Sequence, residues 1–440
     1  MAPEFILAGT GFAVLLLLIA LRAPIALAML LVGAGGYVHI LDQAALFNYL
    51  KTTPYHLFAN YTLSVIPLFI LMGALAERGG LARDLFTAAN LVMGRRPGGL
   101  AMSVIGASAA FGAVCGSSVA TTATFGRAAL PELLRGGYAP GFATGTIAVG
   151  GTLGILIPPS VILVVYGIST EQNIAKLFMA ALIPGLMATA FYIAAIWLWT
   201  RLRPEIGPPA PRLDPGDRRR VFLNVLPVLA IAVVVVGGIY GGVFTPTESA
   251  AVGCIAVLLV GLARRTLPAR AIREALLATA ETTAMIFAIL LGAEVFNAFL
   301  ALSQAPDLLA LWVTDQGFPP YGVLVTLLLT YIVLGAVMDE LAMILLTLPI
   351  FFPVVTALDF GMTTEETAIW FGILVLVVVG IGLTAPPVGL NVFVVSAIAR
   401  DVPIAKTYAG VLPFLATDVV RLALCVAFPA LSLWLVRALT

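Results

Sequence analysis

Two short stretches could do chemistry by their spacing. Gly154-Ile-Leu-Ile-Pro158-Pro159 and Gly382-Leu-Thr-Ala-Pro386-Pro387 each set a glycine ahead of a proline pair, inside an apolar run. Proline removes backbone donors and glycine eases unwinding, so each run is expected to break in its middle. A break frees carbonyl oxygens, which with Ser and Thr hydroxyls suit a hard cation. The helix that restarts after a break points free N–H groups and a positive dipole end at an anion. Two polar tips accompany the breaks, Cys115-Gly-Ser-Ser118 and Met338-Asp-Glu340, with Gly-Ala-Val before each at 112–114 and 335–337. One candidate cation site joins Gly116, Ser117 and Ser118 with Gly151, Thr152 and Gly154. The other joins Gly335, Met338 and Asp339 with Gly380, Gly382 and Thr384. An anion between the tips would meet Ser118, Thr121, Thr122, Ser160 and Asn391. The competing reading is plainer: small residues for close helix packing, and hydroxyls bonded back to the preceding turn.

The elements that must position these residues are membrane helices. Apolar residues are 61% of the 440 and charged residues 10%, against roughly 45–50% and 25% in soluble domains. Runs near the spanning length recur from end to end. Phe5–Leu21 has no basic residue before it and reads as a retained helix, not a secretory signal. Ala23–Ile40 and His56–Ala76 follow. Leu81–Met93 reads as an interfacial amphipathic segment. Gly99–Leu134 is too short for two full spans, and a re-entrant hairpin fits it. Ala143–Gly167 is the first broken span, and Leu177–Thr200 an ordinary one. After the polar linker Arg201–Arg220 come Val221–Ile239, Ala250–Leu262 and Leu276–Ser303. Ala305–Phe318 is interfacial, Tyr321–Phe352 a second hairpin and Ile369–Ile398 a second broken span. Ala409–Arg437 closes the chain as one span.

The order interfacial segment, hairpin, broken span therefore occurs twice, which predicts an internal duplication. Cytoplasmic loops collect Lys and Arg. Threading the chain on that rule leaves only Lys51, Lys176 and Arg437 outside, and Arg127 and Arg421 within the membrane, of 23 basic residues. Arg212 and the rest of the linker fall inside, and the N-terminus falls outside. The loops around the second hairpin, 305–320 and 356–366, contain acids but no Lys or Arg. The hairpins therefore enter from opposite sides. The expected fold is all-α and polytopic, an inverted repeat with two re-entrant hairpins and two broken helices. Such repeats place the site near the bilayer midplane.

These motifs resemble those of one family. Gly116-Ser-Ser-Val-Ala-Thr-Thr-Ala-Thr-Phe-Gly126, Ile157-Pro-Pro-Ser160, Gly242-Val-Phe-Thr-Pro-Thr-Glu248 and Thr384-Ala-Pro-Pro-Val-Gly-Leu-Asn391 are similar to the large membrane subunit of tripartite ATP-independent periplasmic (TRAP) transporters. Ala129-Leu-Pro-Glu132, Gly137-Tyr138 and Ile183-Pro-Gly185 add to the resemblance. One departure is Thr-Ala-Pro-Pro where the family often has Thr-Pro-Pro. The resemblance implies a bacterial or archaeal inner-membrane permease that works with a small four-helix membrane subunit. It also implies a periplasmic binding protein that delivers a carboxylate, a sulfonate or sialic acid. Sodium (Na+) is the implied coupling ion, at about two sites. An elevator motion is implied too: repeats 99–176 and 320–408 move against scaffold segments 1–98, 177–275 and 276–319, with 409–440 closing the chain.

Other polar residues have quieter expectations. Arg127 lies about 13 Å from the first tip along its helix and is expected at the interface or on Glu132 more than on an anion. Glu294, mid-span, is expected to be a buried, hydrogen-bonded acid. Asp418 and Arg421 are expected to pair locally, Asp339 to cap a helix, and Glu248 to complete a capping box with Thr245. Cys115, Cys254 and Cys425 fit buried thiols, and His39 and His56 fit no metal site. The net charge of +1 gives no electrostatic case for nucleic acid. Rival readings are a sodium–dicarboxylate symporter without a binding protein, a channel, and an intramembrane enzyme. The last lacks a nucleophile–base pair.

Overall fold

A computed structural model describes residues 3–209 and 215–439, with only the backbone of 3–5 and 215–217. Arg212 lies outside the described residues. Every described element is helical. Among the described residues, eight helices are long and apolar enough to cross a membrane, or nine if a bent pair counts as one span.

The chain opens with α1 (Pro3–Ala20), α2 (Ile25–Ile40) and α3 (Gln43–Phe58). Helix α3 has no counterpart in the sequence reading. Its polar Asn48, Lys51 and Thr52 and its internal Pro54 conceal any apolar run, but the Asp42 side chain starts it by accepting Ala45 N–H at 2.7 Å. The run expected over His56–Ala76 is therefore divided. Asn60 turns the chain by accepting Thr62 N–H, and α4 (Val65–Arg78) begins afterwards. The amphipathic α5 (Leu81–Met93) buries Leu81, Ala82, Leu85 and Phe86 and packs on the next helix.

The first hairpin is α6 (Gly99–Cys115), α7 (Ser118–Ala128) and the short α8 (Leu130–Arg135). Its tip turns at Gly116, whose φ of 66° favours glycine. A Cβ there would also stand 3.0 Å from Pro159 O. The first broken span is α9 (Pro140–Leu156) and α10 (Val161–Ser169), bent by 44°. Next come α11 (Ile174–Leu202), α12 (Pro215–Tyr240) and α13 (Pro246–Ala263), the last opened by the Thr245–Glu248 capping box.

The order then repeats. Helix α14 (Ala269–Leu302) corresponds to α4, and α15 (Ala305–Asp315) to the arm α5. The second hairpin is α16 (Pro320–Gly335) and α17 (Glu340–Ala357), and the second broken span is α18 (Thr364–Gly382) and α19 (Leu390–Ile398). Both breaks contain a cis proline pair, Pro158-Pro159 and Pro386-Pro387. The closing span expected over Ala409–Arg437 is two helices, α20 (Ile404–Ala427) and α21 (Ala430–Leu439). Pro429 separates them, because it lacks an N–H and restricts the residue before it.

The repeats interlock crosswise. The second arm of each hairpin packs on the restarted half-helix of the other repeat, α7 on α19 and α17 on α10. The ion pairs respect the expected sidedness. Lys176–Glu365 and Arg437–Glu366 join residues assigned to one side of the membrane. Arg78–Glu274, Arg264–Asp84 and Arg270–Glu274 join residues assigned to the other.

Candidate functional site

Each hairpin tip is seated on the break of its own repeat, by the same contact. A Cβ on Gly112 would lie 2.7 Å from Leu153 O and 3.3 Å from Gly154 Cα. One on Gly382 would lie 2.7 Å from the Gly335 carbonyl carbon. The unwound segments bond back to the hairpins: Val161 N–H donates to Gly116 O at 3.4 Å, and Val388 N–H to Ala336 O at 3.2 Å. A Cβ on Gly154 would stand 2.6 Å from Ser117 O, so these two members of the first candidate cation set touch. Thr152 turns away from the tip. Its hydroxyl donates to Val149 O at 2.7 Å and lies 3.3 Å from the Tyr192 hydroxyl. Gly380, from the second set, faces Thr152 where the two broken helices cross. Asp339 accepts from Leu341 and Ala342 N–H and so caps α17, while Met338 beside it is partly buried. The Thr384 hydroxyl bonds back to Ile381 O at 3.2 Å.

Asn391 ties the repeats together. Its Nδ2 donates to Ala148 O at 3.0 Å and approaches Ser118 Oγ at 2.8 Å. Gly151 lies beneath, between Asn391 and Thr122. The Thr121 hydroxyl donates to Ser117 O at 2.7 Å. The Ser160 and Thr122 hydroxyls are buried with no hydrogen-bond partner among the described residues. All five candidate anion ligands, Ser118, Thr121, Thr122, Ser160 and Asn391, are fully enclosed.

The open space lies elsewhere. A cavity of about 370 Å³ sits between the tips and the helices α4 and α14. The first tip gives it Gly116, Ser117, Val119, Ala120 and Ala123. Val119, Ala120 and Ala123 occupy one face of α7, whereas Ser118, Thr121 and Thr122 occupy the face turned to α9 and α19. The second tip gives it Asp339 and Glu340, and α4 gives Glu77. Among the described residues lining it there are three acids and no Lys, Arg or His. Glu340 is buried, and its Oε2 has no hydrogen-bond partner among the described residues. Sequence reasoning did not single out Glu340 or Glu77 as wall residues. Glu340 was visible in the second polar tip, and Glu77 as an acid in the last turn of a span, the end that disfavours negative charge.

Two expectations are corrected. Arg127 pairs with Glu77 of α4, not with Glu132, because α7 runs beside α4. Glu294 is exposed on α14, not buried. Its backbone carbonyl accepts from the Tyr49 hydroxyl of α3, a helix the sequence did not reveal. Asp418 and Arg421 do pair, at 2.8 Å and fully buried. The three cysteines are buried thiols. The Tyr192 hydroxyl bonds both Asp418 oxygens, at 2.8 and 2.9 Å, which extends the pair through Tyr192 to Thr152.

Comparison with known proteins matches residues 12–431 to the family model described as the DctM component of the tripartite ATP-independent periplasmic transporter. The chain is 37% identical to the C4-dicarboxylate TRAP transporter large permease protein DctM of Pseudomonas aeruginosa, over 85% of this chain and 86% of that one. It is 32% identical to the sialic acid TRAP transporter large permease protein SiaM of Vibrio cholerae, with 86% of each covered. The crystal structure of the Alcanivorax borkumensis YdaH transporter superposes with a TM-score of 0.63 at 18% identity, over 89% of this chain and 90% of that one. That likeness extends to the fold.

Proposed function

Because the chain belongs to the DctM-component family of tripartite ATP-independent periplasmic transporters, we propose that it carries a small organic anion across the inner membrane with sodium. The observation behind this reading is the acid-lined cavity between the hairpin tips. Asp339 and Glu340 repel an anion when ionised, Glu77 is held by Arg127, and none of the described lining residues is a base. In a poorly hydrated space such repulsion is large unless cations enter too. Backbone carbonyls at the two breaks and tips provide the oxygen ligands that sodium prefers, so cation binding makes room for the anion. This reading departs from the sequence expectation for Ser118 and Asn391. Together they lock α7 to α19 behind the cavity wall, and the anion meets the tips instead.

The partners are a small membrane subunit, a periplasmic binding protein and the surrounding lipid. The exposed apolar side chains of α12, Phe222, Leu226, Leu229 and Val233, suit a lipid or subunit contact. The N-terminus faces the periplasm on the distribution of Lys and Arg. Transport is an elevator step in which α6–α10 and α16–α19 slide as one body past α1–α5 and α11–α15, with α20 and α21 closing the chain.

The test is uptake into proteoliposomes that hold this chain and its small subunit. Radiolabelled succinate and sialic acid are offered with and without a periplasmic binding protein for each. The expected result is uptake of a carboxylate that requires both an inward sodium gradient and the binding protein. Uptake that needs no binding protein would favour the symporter reading. Uptake indifferent to sodium would overturn the coupling.

A further inference from the structure

The acid-lined cavity has a neighbour of opposite sign. A cavity of about 550 Å³ lies one helical turn further along α4 and α7, lined by Glu77, Arg78, Arg83, Thr124 and Arg127. Glu77 belongs to both walls. Ala123 faces the inner cavity, and Thr124 and Arg127 the outer one. The outer space holds three arginines against one glutamate. Glu77 engages Arg127, and Glu274 engages Arg78 from outside the wall. Arg83 has no ion-pair partner among the described residues, so positive charge is left over.

The pair at the boundary can be exchanged. The Arg127 and Glu77 side chains are 58% and 27% exposed. Ion pairs that keep this much water contact contribute little net energy. A guanidinium presents a planar fork that fits carboxylate and sulfonate alike. No basic residue lies on the second hairpin, 320–357, so Arg127 is the cation that an anion leaving the tips would meet first.

The geometry points to the outer cavity as a transit site for organic carboxylates and sulfonates. The departing anion replaces Glu77 on Arg127, and Arg83 keeps the space attractive while the exchange occurs. The released Glu77 then turns its charge to the emptied inner cavity and disfavours return. This inference rests on the transport reading above, since it assumes that an anion occupies the inner cavity.

The test measures the field in the outer cavity and needs no knowledge of the substrate. Cys115, Cys254 and Cys425 are replaced by alanine in the full-length chain in membrane vesicles, and Ala128→Cys places a thiol on the outer wall. Two methanethiosulfonate reagents are compared, one bearing a sulfonate and one a trimethylammonium. The ratio of their rates is divided by the same ratio on a free small thiol. The expected preference for the sulfonate is about fivefold or more, as charged clefts concentrate counter-ions. It should fall towards one in Arg127→Gln, rise in Glu77→Gln, and shrink in high salt without any further substitution. A ratio at or below the free-thiol value, or one that neither salt nor Arg127→Gln moves, overturns the site. If the ratio behaves as expected while sodium-driven uptake is absent, the transport reading fails and the anion site stands. If uptake is present and the ratio is flat, the site alone is lost.

Discussion

Gly382→Ala is expected to cut sodium-driven uptake by at least about tenfold, the size of a 1.4 kcal/mol penalty, and Gly380→Ala far less. The two glycines lie two residues apart on the same broken helix. A Cβ at 382 would stand 2.7 to 2.9 Å from three backbone atoms of Gly335. Backbone cannot rotate aside as a side chain can, so the second hairpin must lift from its break. Overpacking of this kind costs about 1–3 kcal/mol. At 380 the nearest atom is Thr152 Cβ at 3.8 Å, an ordinary contact. Alanine keeps the backbone carbonyl at both positions. The comparison therefore separates the fit of the hairpin from the presence of a carbonyl ligand. Initial uptake rates at equal protein density decide it, and equal losses in both variants would contradict the account.

The second large effect belongs to the buried pair on α20. Arg421 is 0% and Asp418 1% exposed, with 2.8 Å between charged atoms. No guanidinium nitrogen makes a directed hydrogen bond to a described residue, so Arg421 depends on the charge of Asp418. Breaking a buried pair on one side costs about 3–5 kcal/mol, whereas replacing both members with apolar residues is often neutral. Arg421→Met and Asp418→Leu should each lower the unfolding midpoint of the purified chain sharply. The double variant should recover most of the loss. Simple addition of the two single losses would show that the residues do not act as a pair.

The sequence disclosed the architecture because its signals were redundant. Glycine, the double proline and the polar tip occur twice in the same order, and the absence of Lys and Arg around the second hairpin separates the two sides. Helix α3 escaped because Asn48, Lys51 and Thr52 interrupt its apolar residues. The break at Pro429 escaped because a single proline in an apolar run also fits a kinked span, as Pro184 and Pro227 do inside α11 and α12. The site was legible in its backbone and not in its side chains. Hydroxyl-bearing residues drew attention on α7, yet residues one apart on a helix point about 100° away from each other. Ser118, Thr121 and Thr122 thus face inward, and Val119, Ala120 and Ala123 line the cavity. Both faces are small and weakly polar, so composition could not say which was which. The partnership of Glu77 with Arg127 joins residues 50 apart and has no local signal.

Direct binding of radioactive sodium to the purified chain, with no organic anion present, tests the central claim most closely. If the breaks and tips form cation sites, binding is saturable over the physiological range of sodium and falls in Gly382→Ala. It should also fall in Asn391→Leu, which removes the tie between α7, α9 and α19. Sodium binding that never saturates, or that neither substitution weakens, would contradict the claim that these interrupted helices hold the coupling ion.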